Sequence, residues 1–567
     1  MTQPCSTRLA LLASLLLLGT ATASRAQLPP PPPPNPGNPL TTAKVNLGKV
    51  LFWDEQLSSS RSVACGTCHI PRSGGADPRS ATSPLAIGPG ADGVFGNADD
   101  TFGSPGVPLA DANGFYLLST HFGLGVQATT RRAPSALNSA YPPVLFWDGR
   151  ATGTFTDPET AAVLLAGGAA LEAQSMGPPT SEVEMGHRSR VFSDVSSRLA
   201  AAAPLALAPE APIPLQQWIA GRSYGELFAE AFGSPGITAA RIGMAIASYE
   251  RTLITDATPF DAFLAGDDTA LTAQETQGRN VFVAASCDRC HAGPLLSDHS
   301  FRYIGVRPTT EDEGRFTVTG NAADHGRMRT PSLRNASLRA PYMHNGRFPD
   351  LAAVVEFYDR GGDFTAPNKD PLVRPLALSP ADKDALIAFL GRPLTDTRVA
   401  RGDFPFDRPR LFSESRRAPR TEGSGQPGSG GLEPMVVAVE PALLGNPSFA
   451  VGVQNALGGA AALLVIGNAD PGLVPPASGS LAYLSIELQG SGTGQGFGSA
   501  HFAIPNDPAL ADQEFFGRWY ITDPAGAGGR AVSPVFRFKA FPALAAATVY
   551  QDNFESGDTT RWSVTVP

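Results

Sequence analysis

Two short segments of the chain each contain two cysteines separated by two residues, with a histidine directly after them. Residues 65–69 read CGTCH, and residues 287–291 read CDRCH. This spacing is the attachment signal of c-type haem, because two such thiols can add to the porphyrin vinyl groups while the adjacent histidine reaches the iron as its proximal ligand. The sequence therefore predicts two covalently attached haems. Their expected attachment residues are Cys65, Cys68 and His69 for the first, and Cys287, Cys290 and His291 for the second.

Two other uses of paired thiols fit the sequence less well. A zinc site needs four ligands in one cluster, so the second pair of cysteines would have to join the first. A thioredoxin-like redox pair has no use for the histidine. Of the five cysteines in the chain, only Cys5 lies outside the two motifs. No thiol is therefore left over for a structural disulfide.

The first 26 residues have the pattern of a secretory signal peptide. Arg8 is followed by an apolar run and then by small residues, with cleavage expected after Ala23 or Ala26. The apolar run is too short to span a bilayer, so we expect an exported, periplasmic protein that is not an integral membrane protein. The net charge of −9 and the lack of a Lys/Arg run argue against a nucleic-acid partner.

Helical patterns dominate the part of the chain that contains the two motifs. Apolar residues recur at helical spacing over residues 237–254. Ahead of the second motif, Thr272 and Glu275 predict a helix start with a capping box. Another helix is predicted to begin with Ser379 as its N-cap and to end at Gly391.

The positions of the motifs suggest how the chain is divided. They lie too far apart for one small cytochrome and suit two haem domains in tandem. We expect a proline-rich tether over residues 27–39, an N-terminal cytochrome-c-like domain over 40–235 and a second one over 236–412. A Gly/Ser/Pro-rich linker is expected over 413–433.

The sequence pattern changes after this linker. Seven short β-type runs separated by turn residues predict a sandwich-like domain over residues 434–548. In the last run, Phe536 and Phe538 alternate with two basic residues. The tail, 549–567, is assigned no chemistry. The predicted fold class is mainly α, with two tandem cytochrome-c-like haem domains followed by a C-terminal all-β sandwich-like domain.

Seven longer segments occur in an order that is typical of one protein family. They read GKVLFWDEQLSSSRSVACGTCH, RRAPSALNSAYPPVLFWDGRA, SEVEMG, AIASYERTL, TPFDAFLAGD, RTPSLRNASLRAPYMHNG and LAAVVEFYDRGG. Together they resemble the bacterial dihaem cytochrome c peroxidase family, which includes the MauG-type enzymes, over about residues 40–395. The resemblance implies two cytochrome-c-like domains that face each other. It also implies that the N-terminal haem meets peroxide while the C-terminal haem relays electrons.

The resemblance further implies which residues lie on the second face of each iron. Where most of these peroxidases have a distal histidine, this chain has Leu124, which cannot ligate iron and would leave the first haem open as in MauG-type enzymes. His121, three residues earlier, is the alternative if the loop shifts. Tyr358 stands where MauG-type enzymes have a ligating tyrosine on the second haem. Met343 is the alternative ligand.

Two more residues match catalytic positions of the family. Trp147, in FWDGR, matches a tryptophan between the haems that aids electron transfer; an ordinary core tryptophan is the alternative. Glu184, in SEVEMG, matches the distal acid, because peroxide cleavage needs a carboxylate near the open iron to move protons. A surface carboxylate is the alternative for Glu184.

A calcium ion usually bridges the two domains of these enzymes. Arg132 stands where the family has the asparagine ligand, and a guanidinium group cannot ligate calcium. Either Arg132 replaces the charge of the ion, or backbone carbonyls near Arg339 and Pro341 hold the ion alone. Calcium is therefore not part of the prediction.

The predicted function is that of an exported dihaem c-type oxidoreductase that reduces hydrogen peroxide at an open, His-ligated haem. Its electrons would come through the second haem from a small cytochrome c, a cupredoxin or a substrate protein. Two alternatives stay open: a dihaem oxygenase that acts on an organic or polymeric substrate, and a non-catalytic dihaem electron carrier.

Overall fold

The computed structural model describes residues 28–543. The predicted signal peptide (1–26) and C-terminal tail (549–567) lie outside these residues. Within the described part, helices come first along the chain and long strands come last. No helix of residues 28–543 has both the length and the apolar composition needed to cross a lipid bilayer.

The α-helices all lie before residue 402. They are α1 (Thr42–Trp53), α2 (Cys65–Cys68), α3 (Arg79–Thr82), α4 (Ala170–Gln174), α5 (Phe192–Ala201), α6 (Ile213–Ile219), α7 (Tyr224–Phe232), α8 (Ala239–Glu250), α9 (Pro259–Leu264), α10 (Ala273–Ala284), α11 (Phe316–Thr319), α12 (Leu351–Asp359), α13 (Pro380–Leu390) and α14 (Thr397–Arg401). Short antiparallel strand pairs lie between them. They are β1 (Ile87–Gly88) with β2 (Thr101–Phe102), β3 (Pro105–Pro108) with β4 (Val126–Ala128), β5 (Phe155–Thr156) with β6 (Val163–Leu165), and β7 (Phe301–Arg302) with β8 (Met328–Arg329).

The helix starts that were predicted from capping residues are confirmed. The Thr272 hydroxyl accepts a hydrogen bond from Glu275 N, and the Glu275 carboxylate accepts one from Thr272 N, so α10 begins with a capping box. Ser379 caps α13, whose first residue is Pro380 and which ends before Gly391. These contacts satisfy backbone N–H groups that have no partner inside the helix.

The helix that precedes each CxxCH motif is crossed by a later helix in the same way. A Cβ atom on Gly48 of α1 would lie 1.9 Å from the carbonyl oxygen of Ala245 in α8. A Cβ atom on Gly278 of α10 would lie 1.9 Å from the carbonyl oxygen of Ala385 in α13. In each case only glycine allows the two backbones to approach so closely. The chain thus contains the same helix crossing twice, once per motif.

Gly278→Ala is expected to lower the free energy of unfolding by about 1–3 kcal/mol, because the added methyl group forces α10 and α13 apart. Gly225→Ala in α7 is the matched control, since a Cβ atom there has no neighbour closer than 3.7 Å. The control is expected to be neutral or to gain up to about 1 kcal/mol from helix propensity. Urea unfolding followed by circular dichroism measures both values, and equal results for the two variants would contradict a tight crossing.

The C-terminal strands form two antiparallel sheets. They are β9 (Arg420–Glu422), β10 (Met435–Val437), β11 (Phe449–Gly458), β12 (Ala461–Gly467), β13 (Ala482–Glu487), β14 (Gly492–Phe502), β15 (Glu514–Thr522), β16 (Arg530–Val532) and β17 (Val535–Lys539). One sheet has the order β10-β11-β14, and the other has the order β13-β12-β15-β17-β9, with β16 on β15. A shared apolar core that includes Phe449, Leu464, Trp519 and Phe538 joins the sheets. The seven predicted strands are all present, and this packing is that of a β-sandwich.

Two segments differ from their description as tether and linker. In the proline-rich stretch 27–39, Asn38 is fully buried, and its Nδ2 donates to Glu172 Oε1 over 2.7 Å. In the segment 413–433, β9 adds an edge strand to the larger sheet by pairing with β17. The composition of both segments is typical of flexible chain, but their polar side chains and backbone groups find partners in the folded parts.

Candidate functional site

A cavity of about 670 Å³ surrounds the first CxxCH motif. Cys65 and Cys68 lie three positions apart on the single turn of α2, so their side chains face the same way. Both line the cavity together with His69. Burial raises the pKa of Cys68 to about 12 and raises the pKa of Cys65 above its usual range.

Backbone carbonyls fix the rings of both motif histidines. His69 Nδ1 donates to the carbonyl oxygen of Gly75 over 3.2 Å, and His291 Nδ1 donates to that of Leu296 over 3.1 Å. Burial lowers the pKa of both rings, so each is neutral with its proton on Nδ1. This tautomer leaves the Nε2 lone pair available to a metal ion.

Glu184 lines the same cavity as the first motif. The neighbouring backbone is held by β3. Val107 N, in that strand, donates to the carbonyl oxygen of Val183 over 3.1 Å, directly before Glu184. Burial raises the pKa of Glu184, and Arg150 offsets part of this effect. The charge of Glu184 raises the pKa of Cys65 and of Cys68, so its carboxyl group lies within electrostatic reach of both thiols. A carboxyl group with a raised pKa in this place can accept and return a proton.

The two residues that were considered for the second face of the first iron lie in different surroundings. Leu124 is fully buried, but it packs with Tyr116 and Ala450 and does not line the cavity. His121 lines the cavity and is exposed. It lies beside Gly93, where an added Cβ atom would be 3.0 Å from His121 Cε1. Of this pair, only His121 has its side chain at the cavity.

A second cavity of about 250 Å³ contains Cys287, Cys290 and His291. Tyr358, from α12, and Met343 both line it, so the structure brings both candidate ligands to the second motif. Burial raises the pKa of Tyr358 above its usual range, and the nearby cysteines raise it further. A bound cation would reverse the effect of burial and favour the phenolate.

Trp147 lies in the wall between the two cavities and lines both of them. Its Nε1 donates to the carbonyl oxygen of Arg132 over 2.8 Å. Its indole ring lies 6.3 Å from the His344 ring, centre to centre, with the planes at 65°. His344 and Arg329 also line both cavities. An aromatic side chain held in this way borders both cavities.

Three buried arginines have no carboxylate partner among residues 28–543. Arg132 and Arg329 line both cavities, and Arg339 lines the second one. Nε and Nη2 of Arg132 have no hydrogen-bond partner at all. Burial, reinforced by the charge of Arg339, lowers the pKa of Arg132 to about 9. The same two effects lower the pKa of Arg329 to about 10, and burial lowers that of Arg339 to about 10. Buried cations without a partner are costly, so this wall is suited to an anion.

The residues of both cavities fit haem. Each cavity offers two thiols for the vinyl groups and one oriented imidazole for the iron, and the wall between them offers guanidinium groups for the haem carboxylates. Sequence reasoning missed Arg329 and His344. Both lie in the segment RTPSLRNASLRAPYMHNG, which was used only for the family resemblance, and no local pattern in it marks these two residues.

Comparison with known proteins finds a family model, curated relatives and a solved structure that are similar to this chain. The model of the di-haem cytochrome c peroxidase family matches residues 42–269. The cytochrome-c peroxidase IdrP1 of Pseudomonas sp. (strain SCT) is 32% identical over 420 residues, which cover 67% of this chain and 90% of that protein. The methylamine utilization protein MauG of Methylorubrum extorquens is 30% identical, over 65% of this chain and 83% of that protein. A crystal structure of a MauG-like protein associated with microbial copper homeostasis aligns with a TM-score of 0.47 and 25% identity, over 69% of this chain and 99% of that one.

Proposed function

Because the chain belongs to the di-haem cytochrome c peroxidase family, we propose that it reduces hydrogen peroxide at the first cavity with electrons relayed from the second. Each turnover consumes one peroxide, two protons and two electrons and forms two waters. The electrons come from a reduced one-electron donor, a small cytochrome c or a cupredoxin, which is oxidised twice per peroxide. A substrate protein oxidised at the surface would replace this donor in a MauG-like role.

The CxxCH cysteines would attach the two haems, His69 and His291 would hold the two irons, and each motif would lie in its own cytochrome-c-like domain. The repeated helix crossing at Gly48 and Gly278 supports two such domains. When bound, haem supplies the redox chemistry and the place where peroxide binds. Attachment of this kind takes place outside the bacterial cytoplasm, which agrees with export directed by residues 1–26.

Glu184 moves the protons that peroxide cleavage requires. As a carboxylate it would accept a proton from hydrogen peroxide held in the first cavity, which Glu184 lines. It then returns this proton to the departing oxygen, which leaves as water. Burial raises the pKa of Glu184, so the group exchanges its proton closer to neutral pH than an exposed carboxylate. Arg150 keeps part of the carboxylate population ionised by lowering the same pKa.

Electrons cross from the second cavity to the first through the wall that contains Trp147. The hydrogen bond from Trp147 Nε1 to Arg132 fixes the indole in this wall. Tyr358, which lines the second cavity, would be the residue that holds the iron there together with His291, and a phenolate oxygen would favour the ferric state.

One observation carries the proposal most directly. Glu184 shares the first cavity with the haem-attaching residues, while Leu124 is turned away into another apolar cluster. A titratable carboxyl group beside the haem-attaching residues is the arrangement that peroxide cleavage would use. Low-temperature EPR of the purified ferric protein tests it, and one high-spin and one low-spin haem are expected. Two low-spin haems would mean that His121 or another residue closes the first site.

Tyr358→Met is expected to change the low-spin EPR signal and to raise the midpoint potential of that haem by on the order of 0.1 V. The reason is that a neutral thioether stabilises ferric iron less than a phenolate does. Met343→Leu is the matched control, because Met343 lines the same cavity. A low-spin signal that responds to Met343→Leu and not to Tyr358→Met would assign the ligand to Met343.

A further inference from the structure

The segment that connects β3 to β4, residues 109–125, lies at the first cavity but is packed on the β-sandwich. β3 and β4 pair as a hairpin, with Pro105 opposite Ala128. Gly106 and Ala128 of this hairpin line the first cavity, as do His121 and Phe122 from the connecting segment. The same segment therefore touches the haem site and the C-terminal domain.

Tyr116 and Leu124 anchor this segment by apolar contact. They are 5% and 0% exposed, and they form one cluster with Val437 and Ala450 of the sandwich. Gly452 of β11 lies directly beneath them. A Cβ atom on Gly452 would be 2.8 Å from Tyr116 Cδ2 and 3.4 Å from Leu124 Cδ1. The two side chains thus fill the space that any larger residue at 452 would need.

Three polar or aromatic contacts fix the same segment in register. Leu124 N donates to Gln454 Oε1 over 2.6 Å. Tyr116 N donates to Ser499 Oγ over 3.1 Å. The Phe115 ring stacks on His501, with centres 3.8 Å apart and planes at 16°. These contacts all join the segment 109–125 to β11 or β14, so one face of the sandwich holds it.

The other side of the segment rests on the rim of the cavity. The Phe122 ring meets the Phe95 ring at 5.8 Å, nearly perpendicular, and His121 lies beside Gly93. His121 is only three residues from Leu124. Anchoring Leu124 in the sandwich therefore limits how far the His121 imidazole can move toward the centre of the cavity.

We propose that the β-sandwich is a positioning part of the peroxide site, in which Gln454 and Gly452 hold the segment 109–125 so that His121 stays at the rim and the first haem stays open. The inference rests on the proposed function, since it concerns the open face of that haem. Gln454 is a positioning residue, because it acts through Leu124 and touches neither peroxide nor haem.

The full-length, haem-loaded protein is compared with three variants. Gln454→Met keeps the side-chain length but removes the acceptor for Leu124 N. Gln454→Glu keeps an acceptor and is the conservative variant. Gln513→Ala is the matched control, because Gln513 Nε2 bonds within the sandwich, to Ala509 O over 2.6 Å. The readouts are the high-spin EPR signal of the ferric protein and hydrogen exchange of residues 109–125.

Gln454→Met is expected to speed exchange of residues 109–125 about fivefold, the factor for loss of one hydrogen bond, and to convert part of the high-spin signal to low-spin. Gln454→Glu and Gln513→Ala are expected to behave like wild type. The double variant Gln454→Met, His121→Ala is expected to recover the high-spin signal while exchange stays fast.

If Gln454→Met is misfolded, Gly452→Ala provides the same test, because the added methyl group would clash with Tyr116 and Leu124. A wild-type high-spin signal that neither Gln454→Met nor Gly452→Ala changes would overturn the positioning role and leave the peroxidase proposal intact. Absence of a high-spin signal in the wild type itself would instead overturn the open peroxide site.

Discussion

Glu184→Gln is expected to lower kcat/KM for hydrogen peroxide by roughly 10²–10⁴-fold, the range typical for loss of a positioned general acid–base group. Glutamine keeps the size of the side chain but cannot take the proton from peroxide. The cavity that Glu184 lines together with the first CxxCH motif would keep its shape. Stopped-flow absorbance after mixing the protein with peroxide measures the rate directly.

Glu182→Gln is the matched control for this experiment. Glu182 is two residues away, and its carboxylate accepts a hydrogen bond from Ser189 N over 2.9 Å outside the cavity lining. We expect this variant to keep the wild-type rate. Comparable losses in both variants would show that the loop, and not the Glu184 carboxylate, is what the reaction needs.

The pH dependence of the rate with hydrogen peroxide gives an independent check of the role of Glu184. Glu184 must be ionised to accept a proton, and burial raises its pKa. The wild-type rate is therefore expected to fall as the pH drops through this raised pKa, at a higher pH than for an ordinary carboxyl group. Glu184→Gln should lack this acid limb, because glutamine does not titrate.

Replacing both Cys287 and Cys290 by serine is expected to leave one covalent haem per chain, against the two that are expected in the wild type. Serine hydroxyls do not add to the vinyl groups, so only the first motif would retain its cofactor. Peroxide turnover with an external donor should fall by roughly 100-fold or more, because the second haem would lose its fixed position. Mass spectrometry of the denatured protein counts the attached haems, and donor oxidation measures the turnover.

The complementary variant, with Cys65 and Cys68 replaced by serine, separates the two motifs. It should also retain one haem, and it should lose the reaction with peroxide itself. Two haems in the mass spectrum of either double variant would be incompatible with attachment through the CxxCH thiols.

Local features of this fold could be predicted from the sequence because the responsible residues are neighbours in the chain. Thr272 and Glu275 accept hydrogen bonds from each other's backbone N–H groups within one helical turn. Phe536 and Phe538 are two positions apart in a strand, so both side chains lie on the face that packs into the sandwich core. The CxxCH motifs are local in the same sense. Each indicates its chemistry without knowledge of the tertiary structure.

Features that depend on distant contacts could not be predicted in this way. The packing position of Leu124 is set by contacts with Ala450 and Gln454, which lie more than 300 positions away in the chain. The sequence around Asn38 predicts a flexible tether, whereas the structure shows that the Asn38 side chain is hydrogen-bonded to Glu172. The unpaired state of Arg132 is visible only when its complete surroundings are known.

The unpaired arginines also bear on the stability of the folded protein. Arg339 repels both Arg132 and Arg329 in a buried region. On the function proposed above, cofactor carboxylates would offset this repulsion, so the folded chain would be more stable with its cofactors bound than without them.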